Sequence, residues 1–103
     1  MKEQILSHLA ESFGLEGAEA LGLLASYAKT LEDSLAALEG GAPSPETAMA
    51  AHSVKGCALN CGDAETAEIA KAAETAAKSA DAAGLAAGTA RLRERLDALH
   101  AEL

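Results

Sequence analysis

Between residues 17 and 39, Leu21, Leu24, Ala28, Leu31, Leu35 and Leu38 succeed one another in steps of three and four without a miss. An α-helix turns about 100° per residue, so this spacing lays one apolar stripe along one face. A stripe that long must be buried, and a strand cannot use it, because strand side chains alternate with period two. The rest of the chain repeats the theme with smaller residues. Half of its 103 residues are apolar, yet Phe13 and Tyr27 are its only two aromatic side chains. A core built from Ala and Leu favours closely packed helices, since both are strong helix formers and weak strand formers.

Breakers divide the chain into five helices. The first spans about 2 to 13, with Ile5, Leu6, Leu9 and Phe13 on one side and Gly14 as its stop. The second runs from about 17 to 39 and ends in Gly40-Gly41-Ala42-Pro43-Ser44-Pro45, which holds both prolines of the chain. Ser44 can cap a third helix, about 45 to 61, with Pro45 at its first position and Glu46 in its first turn. Gly62 closes that helix. Asp63 can cap a fourth, about 64 to 80, carrying Ile69, Ala70, Ala73, Ala76 and Ala77 along one side. Gly84 separates a fifth, about 85 to 102, with Leu85, Leu92, Leu96, Leu99 and Leu103 as its stripe. The expected fold is all-α: one domain over residues 1–103, an antiparallel up-and-down four-helix bundle with a short extra N-terminal helix packed on one end. The many alanines predict close approach between helix axes.

The formal net charge is −8. That argues against nucleic acid and anionic membrane surfaces, both of which reward Lys and Arg, and fits a complementary protein partner. No apolar run is long enough to span a bilayer, and the N-terminus has no apolar signal core, so a cytoplasmic protein is expected. Cys57 and Cys61 lie four residues apart and read as small buried hydrophobes rather than a disulfide. A metal site made of them with His52 lacks a fourth ligand and has its imidazole turned away from the sulfurs, so no metal is expected.

One stretch does not fit a bland helix: AHSVKGCALNCG, residues 51 to 62. Ala51, Val54, Ala58 and Cys61 form its core stripe. His52 lies about 160° from Val54, with Gly56 and Leu59 within about 40° of His52 and Lys55 about 60° away. An exposed His or a mid-helix Lys is ordinarily a solvated side chain, as His8 and His100 are expected to be. Gly56 is the anomaly. Glycine inside a helix costs about 1 kcal/mol relative to Ala, and this chain uses Ala freely. Either a neighbouring helix or an approaching partner must need the missing Cβ, and its position opposite the core stripe favours a partner. An exposed imidazole is substantially neutral near neutral pH, so one ring nitrogen keeps a lone pair that can attack a phosphoryl group. Lys55 can offset the charge of the product. The other ring nitrogen needs an acceptor from a neighbouring helix, for which Glu65 and Glu74 are candidates.

Residues 51 to 74, AHSVKGCALNCGDAETAEIAKAAE, resemble the histidine-containing phosphotransfer domains of bacterial and plant phosphorelays. The matching pattern is Ala51, His52, a small Ser53, an aliphatic Val54, Lys55-Gly56, the small Cys57 and Ala58, and Gly62 ten residues after the histidine. The resemblance covers about a quarter of the chain in sequence, and the whole chain in length and helix order. It implies a four-helix bundle with His52 phosphorylated at Nε2, Lys55 stabilising the phosphate and Gly56 admitting a receiver domain. It places a Gln or Glu 22 residues after the histidine, bonded to the other ring nitrogen, and Glu74 holds that position. Ser53, Leu59 and Asn60 are expected partner contacts. Thr66 and Ala73 depart from the pattern, which commonly has large aliphatic residues there.

The implied function is a phosphocarrier in a multistep two-component phosphorelay, which accepts and donates a phosphoryl group between receiver-domain aspartates. The chain has no glycine-rich phosphate loop for ATP and no cofactor of its own is expected; Mg²⁺ would sit on the partner receiver. Partners would be response-regulator receivers and a hybrid sensor histidine kinase. The chain begins with Met and ends after one bundle, so a free-standing protein rather than part of a hybrid kinase is expected, and its single exposed leucine patch points to a monomer. One alternative is a binding-only regulator that docks a kinase or receiver through the same face; a second is a structural helical bundle with no phosphate chemistry.

Overall fold

The computed structural model describes residues 1–103, and all of its regular structure is helical. The five helices are α1 (Lys2–Phe13), α2 (Gly17–Leu38), α3 (Pro45–Asn60), α4 (Ala64–Lys78) and α5 (Ala82–Glu102). Each of the four longer helices packs on two of the other three: α2 on α3 and α5, α4 on α3 and α5. α1 packs on α2. No helix is long and apolar enough to cross a membrane.

Two apolar clusters fill the interior. Leu31, Leu35 and Leu38 of α2 meet Val54, Ile69, Leu92 and Leu96 in one; Ile5 and Leu9 of α1 meet Leu24, Tyr27 and Leu99 in the other. The departures from alignment in the core are confined to edges. Leu21 was expected on the buried stripe but is exposed, and Ala20 and Tyr27 are buried instead. Leu21 lies about 60° to one side of Leu24, and the buried face is displaced toward the other side, where Tyr27 sits. Phe13 and Leu103, also expected on stripes, are exposed at the last position of α1 and at the chain end. The Phe13 ring meets His8 edge-on at 5.9 Å between centroids. His8 is therefore half-buried rather than freely solvated.

Local chemistry sets the helix ends. The Ser44 hydroxyl accepts from the Thr47 N–H, and Thr47 Oγ1 accepts from the Ser44 N–H, a reciprocal cap with Pro45 behind it. α4 ends at Lys78 rather than residue 80, where Ala80 takes the left-handed conformation in place of a glycine (φ 59°). Gly84, expected as a separator, lies inside α5. Asp81 caps that helix by accepting from the Gly84 N–H at 2.9 Å, and a Cβ on Gly84 would run into the same carboxylate. Ala73 and Gly88 face each other across α4 and α5: a Cβ on Gly88 would stand 3.0 Å from the Ala73 Cβ. Small residues there bring the two backbones together, as the alanine content predicts.

A buried polar knot joins the α3–α4 turn to α2 and α5. Asp63 Oδ2 accepts from the Tyr27 hydroxyl at 2.8 Å, and Oδ1 accepts from Arg95 Nη2 at 2.7 Å. Oδ1 also caps α4 by accepting from the Thr66 N–H, while the fully buried Thr66 hydroxyl accepts from Arg95 Nε at 3.0 Å. Burial alone would raise the Asp63 carboxyl. The bonds from Thr66 and Tyr27 and the charge of Arg95 outweigh it and leave the group below its ordinary value. Burial, then the Asp63 charge, push the Tyr27 phenol far up. Beside the knot, Gly62 ends α3 in the left-handed region (φ 71°), and the His8 ring occupies the space a Cβ would need.

Candidate functional site

The site is built by α3 and α4. Val54, Ala51 and Ala58 turn one face of α3 into the core, so His52 on the opposite face stays exposed; 58% of its side chain is open to solvent. Glu74 comes from α4, where Ala70, Ala73 and Ala77 bury the adjoining face. These small side chains allow the carboxylate to reach across to α3 with only 9% of its side chain exposed.

Three groups converge on Glu74. Its Oε2 lies 3.0 Å from His52 Nδ1, its Oε1 accepts from Lys55 Nζ at 2.8 Å, and Lys78 Nζ lies 3.2 Å from Oε2. The Lys55 bond, with help from Lys78 and the His52 ring, outweighs burial and holds the Glu74 carboxyl down at about 2. The carboxylate is thus ionised and can only accept. In the neutral ring such an acceptor selects the tautomer with its proton on Nδ1, which leaves the lone pair on Nε2. That is the arrangement of an oriented nitrogen nucleophile with a cation one turn away. Glu65, the other candidate, is engaged elsewhere, accepting from Arg95 Nη1 at 2.6 Å.

Gly56 lies one turn past His52. A Cβ added there meets nothing within 4 Å, so no neighbouring helix requires the glycine. Leu59 shares the His52 stripe and is exposed. Ser53 and Asn60 are exposed on its flanks. Sequence reasoning missed two residues of this neighbourhood. Met49, one turn before His52, has 67% of its surface exposed and continues the apolar stripe. Lys78, four residues after Glu74, supplies the second cation. Both were legible as helical neighbours at three and four residues. Met49 and Lys78 also border a groove of about 720 Å³ beside His52, floored by Ala48 and Ala77.

The face has a charge pattern of its own. Between Thr47 and Asn60, α3 carries no carboxylate and one cation, Lys55, in a chain whose net charge is −8. Cys57 is half-buried and Cys61 buried, its thiol pushed up to about 11 by burial. No three His, Cys, Asp or Glu side chains come together in a way that could hold a metal ion. Comparison with protein-family models, curated proteins and solved structures gives no match.

Proposed function

We propose that this chain is a histidine phosphotransfer carrier of a two-component phosphorelay, its four longer helices forming an antiparallel up-and-down bundle with α1 packed at one end. The observation that carries the reading is the His52–Glu74 pair: an exposed imidazole whose Nδ1 is held by a buried, ionised carboxylate, with Nε2 free and a bare glycine beside it.

In the reaction, the Nε2 lone pair attacks the phosphorus of an aspartyl phosphate on a receiver domain. The P–O bond to the aspartate breaks and its electron pair returns to the carboxylate. The ring keeps its Nδ1 proton and becomes a phosphoimidazolium, whose positive charge faces Glu74. Lys55 turns from Oε1 to the phosphoryl oxygens. The reverse sequence donates the group to a second receiver. Gly56 leaves room for the partner backbone, and Met49 and Leu59 give it apolar purchase. A receiver site is rich in carboxylates and carries Mg²⁺. It meets on α3 a stretch, Thr47 to Asn60, that carries no carboxylate of its own. The hybrid sensor kinase and response regulators that would flank such a carrier place it in the cytoplasm.

The test is intact mass of the protein after exposure to phosphoramidate, wild type beside His52→Gln. An acid-labile gain of one phosphoryl group in the wild type alone is expected. No gain, either from phosphoramidate or from a range of phosphorylated receivers, would overturn the carrier reading.

A further inference from the structure

Glu74 has two cations where one would serve to keep a single carboxylate paired. They arrive from different helices and bind different oxygens. Lys55, on α3, holds Oε1; Lys78, on α4, shares Oε2 with His52 Nδ1. Their exposures also differ, 27% for the Lys55 side chain and 66% for Lys78.

We propose that Lys78 is a positioning residue for phosphoryl transfer: it retains Glu74 against His52 Nδ1 when Lys55 leaves for the phosphoryl group. The inference rests on the phosphotransfer reading above. Lys55 is the only cation on α3 and stands one turn from His52, so it is the cation placed to meet a phosphoryl group on Nε2. Its departure strips Oε1 of its partner. A carboxylate with 9% of its side chain exposed would then face a dianionic phosphoryl group across the ring, held by the Nδ1 proton alone. Lys78 prevents this because its contact is to the other oxygen and survives the swing of Lys55. Before transfer, Lys78 is an ordinary exposed i, i+4 partner and contributes little. During transfer it becomes the only lysine left on the group that orients the nucleophile, beside the charged ring itself.

The experiment compares wild type, Lys78→Met, Lys78→Arg, Glu74→Gln and the Glu74→Gln/Lys78→Met double variant. Each is loaded with phosphoramidate, following phosphohistidine formation and decay by ³¹P NMR and the ring-nitrogen signals of His52 by ¹⁵N NMR. The exposed position of Lys78 leaves the fold intact, which circular dichroism checks. Lys78→Met should slow formation about tenfold and weaken the protonated-Nδ1 signature in the phosphorylated state while leaving it unchanged in the free protein. Lys78→Arg should restore both. In the Glu74→Gln background, Lys78→Met should add nothing. A Lys78→Met variant that behaves as wild type overturns the inference. So does one that loses the same factor without Glu74, which would put Lys78 directly on the phosphoryl group. A wild type that takes no phosphoryl group sinks the carrier reading itself, and this inference with it.

Discussion

Replacing Gly56 by Ala should stabilise the fold and impair the function, and both signs follow from one open space. A Cβ on Gly56 meets nothing within 4 Å. The residue is helical and lies inside α3, away from either end. No strain is relieved by glycine there, so Ala should recover the whole propensity difference, about 1 kcal/mol. Unfolding entropy of about 2 cal/mol/K per residue over the 103 residues converts this to a rise in Tm of about 5 °C. Thermal unfolding followed by circular dichroism reads that shift. The same methyl projects from the His52 face, so a partner backbone meeting the glycine would be held off. A displacement of about 1 Å at the reacting atoms can cost about a hundredfold in rate. Gly56→Ala should therefore slow transfer from a phosphorylated receiver several-fold, and Gly56→Gln by about a hundredfold or more. Loading from phosphoramidate, which needs no protein surface, should change little. A fall in Tm would refute the reasoning, because the glycine would then serve the fold. A raised Tm with receiver transfer unaffected even by Gln would refute it on the other side, because no partner would be using the gap.

Glu74 gives the stability a pH signature. Its carboxyl is held at about 2 against an ordinary 4.5, so its contribution is full above about 4.5 and is lost as pH falls toward 2. The difference in urea-unfolding free energy between wild type and Glu74→Gln should be largest near neutral pH, at most about 3 kcal/mol, and should shrink steadily below about pH 4.5. A difference that stays constant down to pH 2.5 would refute the linkage. Asp63→Asn should destabilise by about 2–4 kcal/mol, since it leaves Arg95 without its buried counter-charge and weakens the bond from Tyr27; chemical denaturation measures it, and a loss below 0.5 kcal/mol would contradict the knot.

Much of this was legible because leucine spacing and capping chemistry are local. The steps of three and four in α2 require one buried face whatever lies against it, and Ser44 and Asp63 stand where an N-cap must stand. The edges of that face were not legible. Leu21 and Tyr27 flank the stripe on opposite sides, and what other elements bring decides which is buried: Tyr27 joins the cluster of Ile5, Leu9 and Leu99 and bonds Asp63. The start of α5 failed for a related reason. Gly84 reads as a breaker by type, but Asp81 three residues earlier makes it a capped third position. At the site, the face of α3 bearing His52, Lys55 and Gly56 could be derived from helical angles alone. The acceptor could not, because Glu65 and Glu74 share a helix and differ only in which neighbour each one meets. Arg95 takes Glu65; the exposed face of α3 is left to Glu74.

The polar knot and the site are two ends of one alignment. The distance from His52 to Glu74 depends on how α3 and α4 are set against each other, and those helices are joined by only a short turn. Asp63 sits in that turn. Its backbone N–H donates to the Ala58 carbonyl, which secures the end of α3, and its side chain caps α4. Tyr27 and Arg95 then fasten the same carboxylate to α2 and α5, and His8 closes over Gly62 from α1. Every helix of the chain thus bears on the one turn that sets α3 against α4. A nucleophile must be held to within a fraction of an ångström, yet its own face must stay bare for a partner. Moving the rigidity to the far end of the helix pair meets both demands. On the proposed reading, the exposed face then carries what a transfer would need: an imidazole, its cations and a gap, flanked by Met49 and Leu59.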